Sequence, residues 1–208
     1  MVLGEEYGAS GATGEVLWIL DPIDGTVNYL YGIPAYAVSI AAVQGEPDPS
    51  TWTALAGCVV NPVLGEVFTA SRGGGAFLNG RPLAVNAGVA LDQALVGTGF
   101  SYSAELRVKQ GQFITGLVGA VRDIRRAGSA ALDLCSVAAG RLDAYAERGL
   151  NPWDHAAGAL IAREAGARVG GFGEAAESVT MTLAAHPALL DELEPLLFEL
   201  HRDAGLPL

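Results

Sequence analysis

The pattern of apolar and polar positions predicts a chain in which short β-strands and helices are interspersed. A continuous apolar run over residues 16–20 is bounded by turn-forming residues, which is typical of a buried strand. Near the end of the chain, residues 187–203 place leucines on the apolar positions of an amphipathic helix. This mixture is compatible with an α/β fold but does not specify its architecture. The other predicted strands cover residues 36–43, 53–60, 66–70, 95–100, 142–145, 167–169 and 179–184.

Glycine and proline mark the connections between these segments. Residues 8–14 are rich in Gly, Ala, Ser and Thr and are expected to form a mobile loop, and residues 45–50 a hairpin loop. The three glycines at 73–75 are interpreted as a turn, because no strand-to-helix context and no Lys-Ser or Lys-Thr pair follows them as in a P-loop. Further helices are predicted over residues 27–32, 103–117, 129–139 and 154–165.

Composition and charge narrow the possible ligands. The 208 residues are half hydrophobic, enough for a sizeable core, and we expect one domain over 1–208 with lobes at approximately 1–100 and 101–208. The net charge of −11 argues against nucleic acid as the main ligand, because phosphate backbones need clustered Lys and Arg. The negative charge does not exclude a small phosphorylated substrate, since a bound metal ion can make the local electrostatic field positive.

Cysteine usage and the chain's hydropathy predict the compartment. Cys58 and Cys135 are isolated in apolar surroundings, which is typical of reduced cysteines in a cytoplasmic protein. The sequence contains no apolar run of about 18 residues, so no membrane span is predicted. The first residues lack the basic and apolar regions of a signal peptide.

Two carboxylates follow the buried strand directly. Asp21 and Asp24 lie three positions apart in a turn that also contains Pro22 and Gly25. With little positive charge nearby the two carboxylates repel each other, and such pairs are usually stabilised by a bound hard divalent cation. Gly25 and Thr26 then open a short helix whose free N–H groups can hold an anion. The two carboxylates and the helix start together indicate a divalent metal beside a phosphate. The alternative is that these residues only form turns.

The sequence Trp-Ile-Leu-Asp-Pro-Ile-Asp-Gly-Thr at residues 18–26 resembles the inositol monophosphatase family, which are magnesium-dependent, lithium-sensitive phosphomonoesterases. All nine positions match the family pattern. The resemblance implies that Asp21, Asp24 and the Ile23 carbonyl bind metal. It also implies that Glu5, in the Gly-Glu-Glu sequence upstream, is a metal ligand that orients the attacking water together with Thr26. Without the resemblance, Glu5 would be taken as a charged, frayed terminus.

Two further sequences match the same family in the same order. Gly128, Ser129 and Ala130 correspond to the residues that contact the inositol ring, at a predicted helix start where Ser129 is a natural N-cap. The second motif begins at Trp153, and in the family its aspartate, here Asp154, is the third acidic metal ligand. Seven residues earlier, Glu147 has the family's spacing for a substrate hydroxyl acceptor.

Several other polar residues are assigned no chemistry. His155 is interpreted as a bystander and Glu164 as a structural residue at a helix end. The basic cluster at 122–126 is interpreted as a solvated strand edge rather than a substrate contact.

The resemblance implies Mg²⁺-dependent hydrolysis of myo-inositol 1-phosphate by a metal-activated water, with two or three Mg²⁺ ions. Carboxylate-rich ligation without His or Cys suits Mg²⁺ rather than Zn²⁺. The implied fold is the layered αβαβα sandwich of this superfamily, as a homodimer. Because family members carry two helices before the first motif, we expect part of one outer layer to be missing. The substrate-binding set implied by the resemblance is Asp24, Gly25, Thr26, Gly128, Ser129, Ala130, Glu147 and Asp154, and Asp24 is also counted as catalytic beside Glu5 and Thr26.

Two alternatives to this activity stay open. The substrate could be another small phosphomonoester, such as histidinol phosphate, fructose bisphosphate or a 3′-phosphoadenosine nucleotide, because a few pocket residues rarely settle substrate choice. The chain could also be an inactive metal-binding or regulatory relative.

Overall fold

The computed structural model describes residues 1–6, 8–10 and 16–207. Within those ranges the chain forms five α-helices and two β-sheets. The helices are α1 (Thr26–Tyr31), α2 (Ala104–Val118), α3 (Ala130–Ala138), α4 (Pro152–Glu164) and α5 (Pro187–Asp203), with a 3₁₀ turn at Leu91–Gln93. The strands are β1 (Val2–Gly4), β2 (Gly8–Ser10), β3 (Leu17–Asp24), β4 (Ala37–Gln44), β5 (Thr53–Asn61), β6 (Glu66–Ser71), β7 (Gly75–Leu78), β8 (Arg81–Pro82), β9 (Leu95–Thr98), β10 (Asp123–Arg125), β11 (Ala144–Glu147), β12 (Arg168–Gly170) and β13 (Thr182–Ala185).

The first sheet has the order β2-β1-β3-β4-β5-β6-β7-β8. Its neighbours are antiparallel except β1 and β3, which run parallel with Gly4 opposite Leu20. That register places Glu5 directly after β1, beside the end of β3. The pairing of β3 with β4 shifts between Asp21 and Asp24. A register shift of this kind bends a strand and re-aims its side chains, as is common beside active sites.

The second sheet has the order β10-β9-β11-β13-β12. The strands β10, β9 and β11 are parallel, and β13 is antiparallel to both of its neighbours. All four residues of β13 are buried. Burial of both faces explains why the central strands β9, β11 and β13 are mostly apolar runs rather than alternating ones, whereas the edge strands β10 and β12 carry charged residues.

Helices α3 and α4 lie between the two sheets. One face of the first sheet packs on them through Leu17, Ile19 and Val59, and the second sheet packs on their other side through Tyr145 and Ala184. The far face of the second sheet is covered by α2 and α5, which gives the layer order β-α-β-α over the described residues. This confirms the predicted layered α/β sandwich. The opposite face of the first sheet leaves Trp18, Val38 and Val67 between 36 % and 47 % exposed.

Most predicted elements lie where the sequence placed them, and α5 agrees at both ends. One prediction was wrong in part, because Gly8–Ser10 forms the edge strand β2 instead of a loop. The remainder of that predicted loop lies outside the described residues. Glu164 ends α4 and accepts hydrogen bonds from the N–H groups of Gly73 and Gly75, at 2.8 and 2.9 Å, so its structural role is confirmed. No helix among the described residues has both the length and the apolarity to cross a bilayer.

Candidate active site

The end of β3 delivers two buried carboxylates to the edge of the first sheet. Asp21 is 1 % exposed and Asp24 7 % exposed. The Ile23 N–H donates to Oδ1 of Asp21 at 2.9 Å, and the Thr26 hydroxyl donates to the Ile23 carbonyl at 3.0 Å. These local bonds fix the turn that the Asp-Pro-Ile-Asp sequence forms. Both acids are therefore held rigidly at the strand end, as a preorganised site requires.

Asp154 comes to the same place from the first turn of α4. Its Oδ2 accepts a hydrogen bond from the Asn151 N–H at 2.7 Å, which fixes the side chain at the helix start. Ligand oxygens of Asp21, Asp24 and Asp154 all lie within 4.8 Å of one another. Residues far apart in the sequence thus converge at a spacing compatible with shared hard cations.

Glu5 lies at the mouth of the same site. Its N–H donates to the Leu20 carbonyl at 3.4 Å, and its side chain is exposed and lines the same cavity as Asp21, Asp24 and Asp154. The cavity has a volume of about 220 Å³. Ile23, Gly25, Thr26, Gly128, Ala130 and Glu147 line it as well. The residues predicted from separate motifs are therefore brought together.

Burial and mutual repulsion raise the pKa values of these carboxylates. Burial and the charges of Asp24 and Glu5 raise the pKa of Asp21 to about 8. Burial raises the pKa of Asp154 to about 7, with repulsion from Asp24 and Glu5 adding to it, and raises that of Asp24 to about 6. Buried acids with raised pKa values are typical of a site whose carboxylates share a bound cation. The all-oxygen donor set fits a hard divalent metal.

Glycine is required where β3 turns into α1. Gly25 has φ +91°, and a Cβ there would lie 2.8 Å from the Ala35 carbonyl and 3.2 Å from that of Gly128. The position is therefore closed to side chains both by conformation and by space. The turn brings α1 against the start of α3.

The start of α3 supports Asp24 directly. The Ser129 hydroxyl donates to Oδ2 of Asp24, and the Ala131 N–H donates to the same oxygen at 2.9 Å. Ser129 is 1 % exposed, and its oxygen also accepts the Leu132 N–H at 3.3 Å. Among the three residues of the Gly-Ser-Ala motif, Gly128 and Ala130 line the cavity, whereas Ser129 contacts Asp24 behind it.

Glu147 forms the other end of the cavity. The Tyr145 hydroxyl donates to its Oε2 at 2.5 Å, and burial raises the pKa of Glu147 to about 7. Gly99 lies against the carboxylate so closely that a Cβ would fall 2.1 Å from its oxygens. Tyr145 and Gly99 thus hold Glu147 in one orientation.

Sequence reasoning missed part of this end. β10 is indeed an edge strand of its sheet, but Arg126, one residue beyond it, lines the cavity. The loop from Gly99 to Tyr102 lines it as well. A basic cluster that ends two residues before the Gly-Ser-Ala motif was the available indication, because the motif itself had been placed at the substrate.

Comparison with known proteins identifies the family. A sequence profile of the inositol monophosphatase family matches residues 1–199. The chain belongs to this family. Its members are metal-dependent phosphoric monoester hydrolases, and the buried Asp21, Asp24 and Asp154 cluster of this member could hold a metal.

Individual relatives agree with this assignment. "Inositol-1-monophosphatase SuhB" of Mycobacterium tuberculosis is 49 % identical over 92 % of this chain and 68 % of its own length. The solved structure of M. tuberculosis SuhB superposes with a TM-score of 0.83 at 48 % identity, covering 96 % of this chain and 76 % of that one. "Nus factor SuhB" of Pseudomonas aeruginosa is 46 % identical over 82 % of this chain and 63 % of its own length.

Proposed function

We propose that this inositol monophosphatase family member hydrolyses myo-inositol 1-phosphate in a Mg²⁺-dependent reaction. The observation that carries the proposal is the convergence of Asp21, Asp24 and Asp154 in a cavity that ends at Glu147. Their carboxylates, the Ile23 carbonyl and Glu5 would hold two or three Mg²⁺ ions. When bound, Mg²⁺ supplies a water of lowered pKa and neutralises charge on the phosphate and the leaving oxygen.

The attacking water is oriented by Glu5 and Thr26. Because the Thr26 hydroxyl donates its hydrogen bond to the Ile23 carbonyl, its oxygen is left to accept a hydrogen bond from the water. The exposed Glu5 carboxylate accepts the second proton of that water and serves as the general base. As the water oxygen bonds to phosphorus, the bond from phosphorus to the ester oxygen breaks on the opposite side and the released alkoxide takes a proton from solvent water, so no covalent phosphoenzyme forms.

The substrate lies between the two ends of the cavity. The Gly25 and Thr26 N–H groups hold the phosphate oxygens. Asp24, Gly128, Ala130 and Glu147 contact the polyol, and Asp154 faces the ester oxygen. Ser129 acts through Asp24, in keeping with its hydrogen bond to that residue. By the family resemblance we also propose a homodimer, which sedimentation velocity would test.

A panel of phosphomonoesters tests the proposed activity. Phosphate release is measured with and without Mg²⁺ from myo-inositol 1-phosphate, histidinol phosphate, fructose 1,6-bisphosphate and a 3′-phosphoadenosine nucleotide. We expect Mg²⁺-dependent release with the highest kcat/KM for the inositol phosphate. A higher kcat/KM for any other substrate would reassign the enzyme to that ester.

A second candidate function is a regulatory role in a transcription complex, favoured by the name of the P. aeruginosa relative. The complete acidic set makes the phosphatase the stronger proposal. A folded chain that binds Mg²⁺ but releases no phosphate from any member of the panel would favour the regulatory role instead.

A further inference from the structure

Arg126 is a cation at the wall of an acidic cavity. Its exposed side chain lines the cavity and makes no hydrogen bond or ion pair with any described residue. The neighbouring Arg125 differs, because its Nη1 lies 2.6 Å from Oδ2 of Asp123 and it does not line the cavity. Arg148, the other cation in the lining, donates to the Pro207 carbonyl at 3.2 Å. Among the described cations of the lining, Arg126 is therefore the one with every donor unbonded, and its exposed side chain leaves those donors accessible to a ligand.

The backbone around Arg126 is held in place. The Asn28 amide donates to the Ala35 carbonyl at 2.7 Å and to the Ala127 carbonyl at 2.8 Å, which joins the 126–128 segment to α1. Gly128 has φ +93°, and a Cβ there would lie 2.6 Å from Nη1 of Arg126. The guanidinium thus occupies the space that a side chain at 128 would take, beside the start of α3.

The surroundings of Arg126 indicate what kind of group it would bind. Burial raises the pKa of Glu147 to about 7 and that of Asp133 to about 8, and the Arg126 charge opposes both rises, so the guanidinium lies within electrostatic reach of these acids. A second anionic group on a substrate would meet those carboxyls as well as the arginine. Hydroxyl groups can instead donate to Glu147 and accept from Arg126 at the same time.

We propose that Arg126 is a specificity-determining residue, which donates hydrogen bonds to hydroxyls of the leaving alcohol and, with Glu147, selects phosphomonoesters of uncharged cyclic polyols. This inference rests on the proposed function, and it adds the residue that distinguishes polyol esters from esters lacking hydroxyls and from doubly phosphorylated sugars. The phosphate lies at the opposite end, on the Gly25 and Thr26 N–H groups and the cations that the carboxylates would hold, so Arg126 is left to contact only the alcohol.

The test compares Arg126→Ala with the matched control Arg125→Ala. For each enzyme kcat/KM is measured with myo-inositol 1-phosphate, with phenyl phosphate, which has no hydroxyl on its leaving group, and with fructose 1,6-bisphosphate. In Arg126→Ala we expect the inositol-to-phenyl ratio to fall roughly 10- to 100-fold, the usual loss for hydrogen bonds from a charged group. In Arg125→Ala the ratio should stay within about two-fold of wild type. Arg126→Lys should recover part of the ratio, because it keeps the charge but loses the planar fork.

The other possible results would contradict either the role proposed for Arg126 or the proposed function. Equal losses on inositol and phenyl phosphate in Arg126→Ala would assign Arg126 to the phosphate or to structure, and an unchanged ratio would remove it from recognition. A larger loss for the bisphosphate than for the inositol phosphate would mean that it binds a second anion. These three results overturn the inference while the wild-type activity stands. A wild-type enzyme that releases no phosphate from any of the substrates would refute the proposed function, and the inference with it.

Discussion

The two ends of the cavity are built differently. At the proposed metal end, Asp21 and Asp24 belong to one strand end, and they are fixed by a local hydrogen bond from the Ile23 N–H and by one from Ser129 at the start of α3. At the leaving-group end, Glu147 is the last residue of a strand in the other sheet, whereas Arg126 lies on the connection after an edge strand. The first end concentrates negative charge, while the second combines the Glu147 carboxylate with Arg126, which makes no hydrogen bond to any described residue.

This difference separates chemistry from selectivity. Acids that share a cation must stand within a few ångströms of one another, so their supports are short and rigid. An alcohol is recognised by a few hydrogen bonds, and those can come from loops that differ between relatives without disturbing the metal site. We therefore expect changes at the metal end to remove activity on every substrate, and changes at the other end to alter the ranking of substrates.

The largest expected effect is the loss of one metal-end carboxylate. Asp21→Asn or Asp154→Asn removes a charged oxygen ligand at nearly constant volume, and we expect phosphate release to fall by at least about 10³-fold, the equivalent of several kcal/mol of transition-state stabilisation. Activity on inositol and phenyl phosphates should fall alike. Asp92→Asn, an exposed acid on the 3₁₀ turn, is the control and should keep full activity. Wild-type turnover in either ligand variant would contradict the assignment.

The second effect is a pH dependence of Mg²⁺ binding. The metal-free folded chain holds Asp24, Asp154 and Asp21 with pKa values of about 6, 7 and 8, above the ordinary carboxyl range. The folded state therefore binds more protons than the unfolded one, and the free energy of unfolding falls as pH rises from about 4 to about 8. Mg²⁺ replaces those protons, so its affinity should rise by about tenfold or more between pH 6 and pH 8.

Thermal unfolding with and without Mg²⁺ measures this linkage. The increase in Tm that Mg²⁺ causes should be larger at about pH 8 than at about pH 5.5. Asp21→Asn should lose most of that difference. An increase that is equal at both pH values, or larger in acid, would show that the cation binds elsewhere.

The metal end could be predicted from the sequence because its information is local. The strand before Asp21, the turn at Pro22 and Gly25, and the helix start just before Asp154 are all set by neighbouring residues. The parallel pairing of β1 with β3, which places Glu5 there, was not predicted, since register between strands far apart in sequence depends on tertiary packing. Only the family resemblance pointed to Glu5.

The leaving-group end was harder to predict for the same physical reason. Arg126 was assigned to a solvated edge, and that description fits its neighbour Arg125. Which of two adjacent arginines enters a cavity depends on where Gly128 leaves room and where Asn28 holds the loop. Charge pattern alone cannot distinguish them. Ser129, predicted as a substrate contact, bonds to Asp24 in the structure, and we propose that it acts through that residue.

Ser129→Ala tests whether Ser129 acts through Asp24 or on the substrate directly. Removing the hydroxyl leaves Asp24 with the Ala131 N–H but without its side-chain donor, and residues that orient a metal ligand typically contribute about 10- to 100-fold to affinity or activity. We expect weaker Mg²⁺ binding and an unchanged ratio between inositol and phenyl phosphates. Ser129→Thr should restore binding, and Ser136→Ala, on the same helix, is the control. A selective loss on the inositol ester would return Ser129 to the substrate.

The smallest effect is expected for Tyr145→Phe, which keeps the buried ring and removes the hydrogen bond to Glu147. A hydrogen bond of this kind is worth about 1 kcal/mol, so kcat/KM for the inositol ester should fall roughly five-fold, with little change for phenyl phosphate. The bond favours the ionised carboxylate, and its loss should raise the pKa of Glu147 further above about 7. The acid limb of the pH profile for the inositol ester should therefore move to higher pH, whereas that of Tyr31→Phe, on the exposed face of α1, should not. A uniform loss at all pH values would mean that Tyr145 only packs the core, and that Glu147 is oriented by Gly99 alone.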